Sequence, residues 1–285
     1  MADDPLIDFT RESFSHTGIS HPILRSGSGP AVIVMTEVPG ITPRVAEFAR
    51  RVRDLGLTAV LPDMFGTAGR DPNPAAHGLL SSAAYGVGAM ARLCVGREFS
   101  MLAGPGASPI TNWLRALGAA EHRRCGGPGI GAVGMCLTGG FALAMAADDH
   151  LLAPVLSQPA TPVPVTRRRR AEIGIGTADL ARIQQRCAQG LGVLGLRFRG
   201  DRLVPEERFA SLRRQLGPAF LAVELDPEDA NPDAPTPPHS VLTEHLVDTP
   251  GHPTRQALDL VLEHLRTRLL DPPDHAPDRP SPDEP

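Results

Sequence analysis

A chain of 285 residues with 41% apolar and 21% charged side chains can bury a sizeable core, which excludes a wholly disordered protein. Its longer apolar runs, such as Phe141 to Ala147, fall far short of the roughly 18 residues that cross a bilayer. The net charge of −4 equals that of residues 271–285 alone (five acids, one arginine), so the remaining 27 acids and 27 arginines cancel, and a neutral body with few aromatics lacks the basic footprint and stacking platforms that nucleic-acid binding needs.

In chain order, Asp8 to His16 and Ile19 to Arg25 read as short strands around Thr17-Gly18, with Pro22 placing the second near a sheet edge. Ala31 to Met35 is a continuous apolar run, as in a strand buried on both faces. Thr42-Pro43 reads as an N-cap and first helical residue, opening a helix over Arg44 to Leu55 that Gly56 stops. Leu57 to Leu61 is the next buried strand, which completes a βαβ unit. Pro62 to His77 is a long loop rich in Pro, Gly and Asp. Helices are expected around Ser82 to Leu93 and, capped by Ser108-Pro109, through Glu121. Ile130 to Met135 is a strand and Leu137 to Ala147 a helix. Leu151 to Leu156 is a strand, and Thr177 caps a helix to Gln189. Gly192 to Phe198 is a strand, Pro205 to Leu216 a helix and Ala219 to Leu225 a strand. A polar loop, Asp226 to Pro238, precedes His239, and the last helix runs from Pro253 to Leu270. Strands alternating with helices imply an α/β fold: a mostly parallel, doubly wound sheet with helices on both faces. Residues 1–270 read as one domain. Residues 271–285, with six prolines, are expected to form a disordered tail.

All 28 basic residues are arginine, so the chemistry can use neither a Schiff-base nor a P-loop lysine. The four cysteines, Cys94, Cys125, Cys136 and Cys187, form no CxxC pair. The N-terminus shows no apolar signal segment, so the chain reads as cytoplasmic with reduced thiols. The histidines show no metal spacing, and no metal is expected. The run Arg167 to Arg170 reads as a solvated loop, paired with Glu172 or Asp179.

Chemistry concentrates at Gly134-Met135-Cys136-Leu137-Thr138-Gly139-Gly140. Small residues flank a nucleophile type at a strand-to-helix turn, which lifts the sulfur above the sheet edge. A helix N-terminus beneath it stabilises a thiolate, and the N–H of Leu137 suits an oxyanion. The competing reading is a buried cysteine packing as a small apolar residue. Gly129, Gly131 and Gly134 also match G-x-G-x-x-G, with Asp149 beyond, but they lead into a strand rather than out of one. That is the reverse of a dinucleotide site. A nucleophile needs a base and an orienting acid, which doubly wound hydrolases supply later in the chain. Asp201 follows the strand Gly192 to Phe198. His239 follows the next strand and its loop, with His245 and His252 as rivals. Glu37 ends the strand Ala31 to Met35, and the N–H of Val38 beside it suits a second oxyanion donor.

With these residues the chain resembles the dienelactone hydrolase family of the α/β-hydrolase superfamily. The anchors are the Glu-Val-Pro-Gly turn, the Gly-Met-Cys-Leu-Thr-Gly-Gly elbow, the Gly-Asp-Arg-Leu-Val-Pro segment and the Pro-His-Ser segment, in that order. The resemblance implies Cys136 as nucleophile, His239 as base, Asp201 as its orienting acid and Glu37 as a carboxylate that controls the thiol. Two positions depart from it. Thr138 stands where the family elbow usually has Gly. Thr243 stands four residues after the histidine, where well-known members carry an arginine for a substrate carboxylate. Arg97 is a candidate for a relocated anion contact, with a surface arginine as the alternative. The expectation is a hydrolase of small-molecule esters or lactones without a cofactor; the alternative is a non-catalytic small-molecule-binding protein on the same fold.

Overall fold

The computed structural model describes residues 2–95 and 108–271. Arg97 and the tail from residue 272 lie outside the described residues. The sheet is built from β1 (Thr10–His16), β2 (Ile19–Gly27), β3 (Ala31–Met35), β4 (Thr58–Pro62), β5 (Ile130–Met135), β6 (Leu151–Ser157), β7 (Val193–Phe198) and β8 (Phe220–Leu225). These eight strands form one sheet in the order β1-β2-β4-β3-β5-β6-β7-β8. The β1–β2 and β2–β4 pairs are antiparallel, and every pair from β4 to β8 is parallel. Pro22 therefore sits in the second strand from the edge. It faces Ser13 of β1, one residue before the β2–β4 ladder begins at Ile23 and Pro62, so its missing N–H breaks no bond there.

The strands are buried on both sides because side chains alternate across them. In β3, Ile33 and Met35 enter one core with Trp113, Leu117, Phe141, Ile183 and Phe209. Val32 and Val34 enter the other with Val45, Phe48, Leu258, Val261 and Leu265. The first face is covered by α4 (Pro109–Cys125), α5 (Gly139–Met145), α7 (Thr177–Ala188) and α8 (Glu206–Leu216), the second by α1 (Pro43–Asp54) and α9 (Pro253–Leu269).

The expected caps operate at two helix starts. Val45 N–H donates to Thr42 Oγ1 at 3.3 Å, and Thr111 N–H to Ser108 Oγ at 3.4 Å. The α7 start differs: Gly176 is the N-cap, with no side-chain bond, and Thr177 is the first helical residue. Three helical pieces occupy or adjoin stretches read as loop. These are α2 (Pro74–His77), the N-terminal turn of α3 (Leu79–Val95) and α6 (Arg167–Ala171). The arginine run is thus one capped helical turn. Arg168 pairs with Glu172 at 2.9 Å and Arg170 with Glu207 at 2.9 Å, while Asp179 pairs with Arg115. A run of four like charges gives no apolar periodicity from which to read a helix.

Candidate active site

Five neighbouring parallel strands, β3, β5, β6, β7 and β8, end on the same sheet edge, and each is followed by a polar group that interacts with at least one of the others. This is where ligands bind in open α/β sheets.

Cys136 follows β5 directly. Its φ is +56°, a left-handed conformation that costs a non-glycine residue roughly 1–2 kcal/mol. It opens a single 3₁₀ turn, Cys136–Thr138, which runs into α5. The turn is possible because position 134 carries no side chain: a Cβ there would lie 2.3 Å from Thr138 O and 2.8 Å from Gly139 Cα. The threonine that departs from the family elbow acts as its brace. Thr138 Oγ1 accepts from Met135 N–H at 2.8 Å and lies 2.9 Å from Met35 O and 2.8 Å from Met135 O, either of which can take its proton. It thereby ties the turn to β3.

Asp201 lies three residues past β7, buried, with Oδ1 accepting Leu203 N–H at 2.9 Å. Its Oδ2 is 2.6 Å from His239 Nδ1. Burial pushes the His239 imidazolium down, but the hydrogen bond to Asp201, the nearby sulfur of Cys136 and the charge of both outweigh it and hold the pKa up to about 11. The same ring's Nε2 is buried with no hydrogen bond of ordinary geometry among the described residues. The sulfur is thus within electrostatic reach of a nitrogen that has no other partner.

The two rival histidines have other tasks. His245 accepts Ser240 N–H on Nδ1 at 3.1 Å and places Nε2 2.7 Å from Pro235 O. Those partners require the neutral ring with its proton on Nε2, and burial lowers its pKa. His252 caps α9, its Nδ1 taking Thr254 N–H.

Glu37 lies two residues past β3 and is 6% exposed. Its carboxylate accepts from Ser240 Oγ at 2.6 Å, from Gln158 Nε2 at 3.1 Å and from Thr243 Oγ1. Thr243 is itself buried, so its hydroxyl is engaged with Glu37 rather than offered to an open pocket. The N–H groups of Leu137 and Val38 take part in no backbone or side-chain hydrogen bond among the described residues, and they flank Cys136 and Glu37.

Two members of this cluster had no role assigned from sequence. Ser240 follows His239 and was legible only as part of the Pro-His-Ser segment. Gln158 follows β6 on the active edge, and that position was its only signal. Among the described residues, no group of three or more His, Cys, Asp or Glu could hold a metal ion. No helix among them is long and apolar enough to cross a membrane.

The mostly parallel sheet, its flanking helices and the strand-end elbow define an α/β-hydrolase fold. The chain belongs to the dienelactone hydrolase family, whose profile matches residues 22–171. Solved structures share the fold at low identity. A protein described as a dienelactone hydrolase from Klebsiella pneumoniae is 16% identical, with 90% of this chain and 97% of that one covered and a TM-score of 0.57. A dienelactone hydrolase-like promiscuous phosphotriesterase from metagenomic libraries is 19% identical, with 90% and 98% covered and a TM-score of 0.58. Dienelactone hydrolase from Anabaena variabilis is 14% identical, with 92% and 99% covered and a TM-score of 0.52. No curated protein matches the chain.

Proposed function

We propose that this protein hydrolyses ester or lactone bonds of small molecules through a cysteine nucleophile. The observation that carries the reading is the juxtaposition of Cys136, at φ +56° on the elbow, with an imidazole held 2.6 Å from Asp201. The sulfur of Cys136 attacks the carbonyl carbon, and the N–H groups of Leu137 and Val38 receive the oxyanion. As the tetrahedral species collapses, the carbon–oxygen bond breaks and His239 gives its proton to the leaving alkoxide. His239 then takes a proton from water, whose oxygen attacks the thioester. The sulfur leaves and the acid is released. Asp201 holds the ring in the tautomer this requires.

The test is hydrolysis of a panel of activated aryl esters and lactones. Cys136→Ala and His239→Ala should each lower kcat by about a thousandfold or more, with the double variant little worse, because groups that act as a unit are not additive. Full activity in Cys136→Ala would overturn the reading.

A further inference from the structure

Gln158 is fully buried, and its φ of +36° is one that a residue other than glycine rarely adopts. Its backbone N–H is held by Leu196 O of β7 at 2.7 Å. A buried carboxamide is costly unless both of its ends are bonded, and here both are. Nε2 donates to Glu37 Oε2 at 3.1 Å, while Oε1 accepts Val241 N–H at 3.3 Å and the hydroxyl of Ser157. Only one orientation of the amide satisfies these partners, because the flipped group would set its oxygen against a carboxylate and its NH₂ against an N–H.

Those contacts link two parts of the site far apart in sequence. Glu37 is 121 residues before Gln158, and Val241 is 83 after it. Val241 lies two residues beyond His239. The turn that carries the imidazole also places Ser240 and Thr243 on the carboxylate of Glu37. The side-chain hydroxyls of Ser240 and Thr243 each donate to Glu37. The side chain of Gln158 bonds both the carboxylate and the backbone of the histidine turn.

We propose that Gln158 is a positioning residue, which locks Glu37 and the 239–243 turn into one bonded unit and thereby sets His239 against Cys136. The catalytic arm of the test rests on the hydrolase reading, but the thiol arm needs no substrate. Iodoacetamide labelling of Cys136 in folded Gln158→Met should slow by about tenfold, as for one effective hydrogen bond lost. For an ester that the parent hydrolyses, kcat should fall by a similar factor with KM within about twofold. Gln158→Glu, which sets a second carboxyl against Glu37, should lose as much.

The exchange Glu37→Gln with Gln158→Glu keeps one carboxylate and one amide in contact, and Val241 N–H and Ser157 Oγ can still donate to position 158. It should label at least about threefold faster than Gln158→Glu alone, since the bonded unit is rebuilt even though the carboxylate has left position 37. Parental labelling in Gln158→Met would overturn the inference. So would an exchange variant no faster than Gln158→Glu alone, a comparison that serves even where Gln158→Met does not fold. Labelling that follows the expected pattern in a parent that hydrolyses no ester would sink the hydrolase reading and leave this inference standing.

Discussion

At His239 two effects oppose each other. Burial disfavours the imidazolium, while the bonds and charges of Asp201 and Cys136 favour it and prevail, with a pKa of about 11. An unfolded histidine titrates near 6.5. The folded value is the higher one, so the resulting stabilisation is fully present below about 6.5, shrinks as pH rises and is gone above about 11. Asp201→Asn should therefore be less stable than the parent at pH 6, with the gap narrowing at pH 8 and again at pH 10. Urea midpoints at the three values test this, and a constant gap would defeat it. The thiols separate in the same way. Burial pushes the Cys187 thiol up, which makes it a poor nucleophile. Cys136 faces an imidazole that keeps its proton, so it should be alkylated well ahead of Cys125 and Cys187 near neutral pH. Peptide mapping of adducts after brief iodoacetamide exposure checks the order.

The elbow depends on the hydroxyl of Thr138 as much as on the space at Gly134. Thr138→Val keeps the shape but leaves Met135 N–H without its acceptor, at a cost of about 1–3 kcal/mol for a buried donor left unpaired. Chemical denaturation measures that loss, and unchanged stability would show that the β3 tie is dispensable. In α9, His264 is pushed down to about 4 by burial, with the charge of Arg268 adding to the effect. Here the folded value lies below the unfolded one. No penalty exists above about 6.5, and one grows as pH falls towards 4. His264→Gln should accordingly keep stability that the parent loses over that window, read from melting temperatures at pH 7, 5.5 and 4.5.

Across the whole molecule, the body outside residues 271–285 carries no net formal charge to draw in an anion. The position where a carboxylate-binding arginine is expected from the family holds Thr243, whose hydroxyl is bonded to Glu37. A charge-assisted bond of that kind contributes roughly 1.5–3 kcal/mol. Its loss removes about ten- to a hundredfold of preference for an anionic substrate. For a matched neutral ester and carboxylate-bearing analogue, kcat/KM should be of similar size and change little with salt. A strong, salt-sensitive preference for the anionic member would place a guanidinium in the pocket.

The βαβ rhythm, the Thr42 and Ser108 caps and the Gly134–Cys136 elbow were legible in the sequence because neighbours only a few positions apart determine them. The order Cys136, Asp201, His239 was legible too, since each follows a strand that apolar composition marks. The partners of Glu37 were not. Gln158, Ser240 and Thr243 lie 121, 203 and 206 residues away, and no local pattern encodes a bond across that distance. For the same reason the sequence leaves His245 and His252 open as rivals to His239. Sequence alone thus determined the layered α/β architecture and which polar residues fall at the ends of its strands, through local sterics and periodicity. Only the tertiary structure, by placing the ends of β3, β5, β6, β7 and β8 side by side, decided which of those residues touch. A hydrogen bond in the site depends on that adjacency and not on position along the chain.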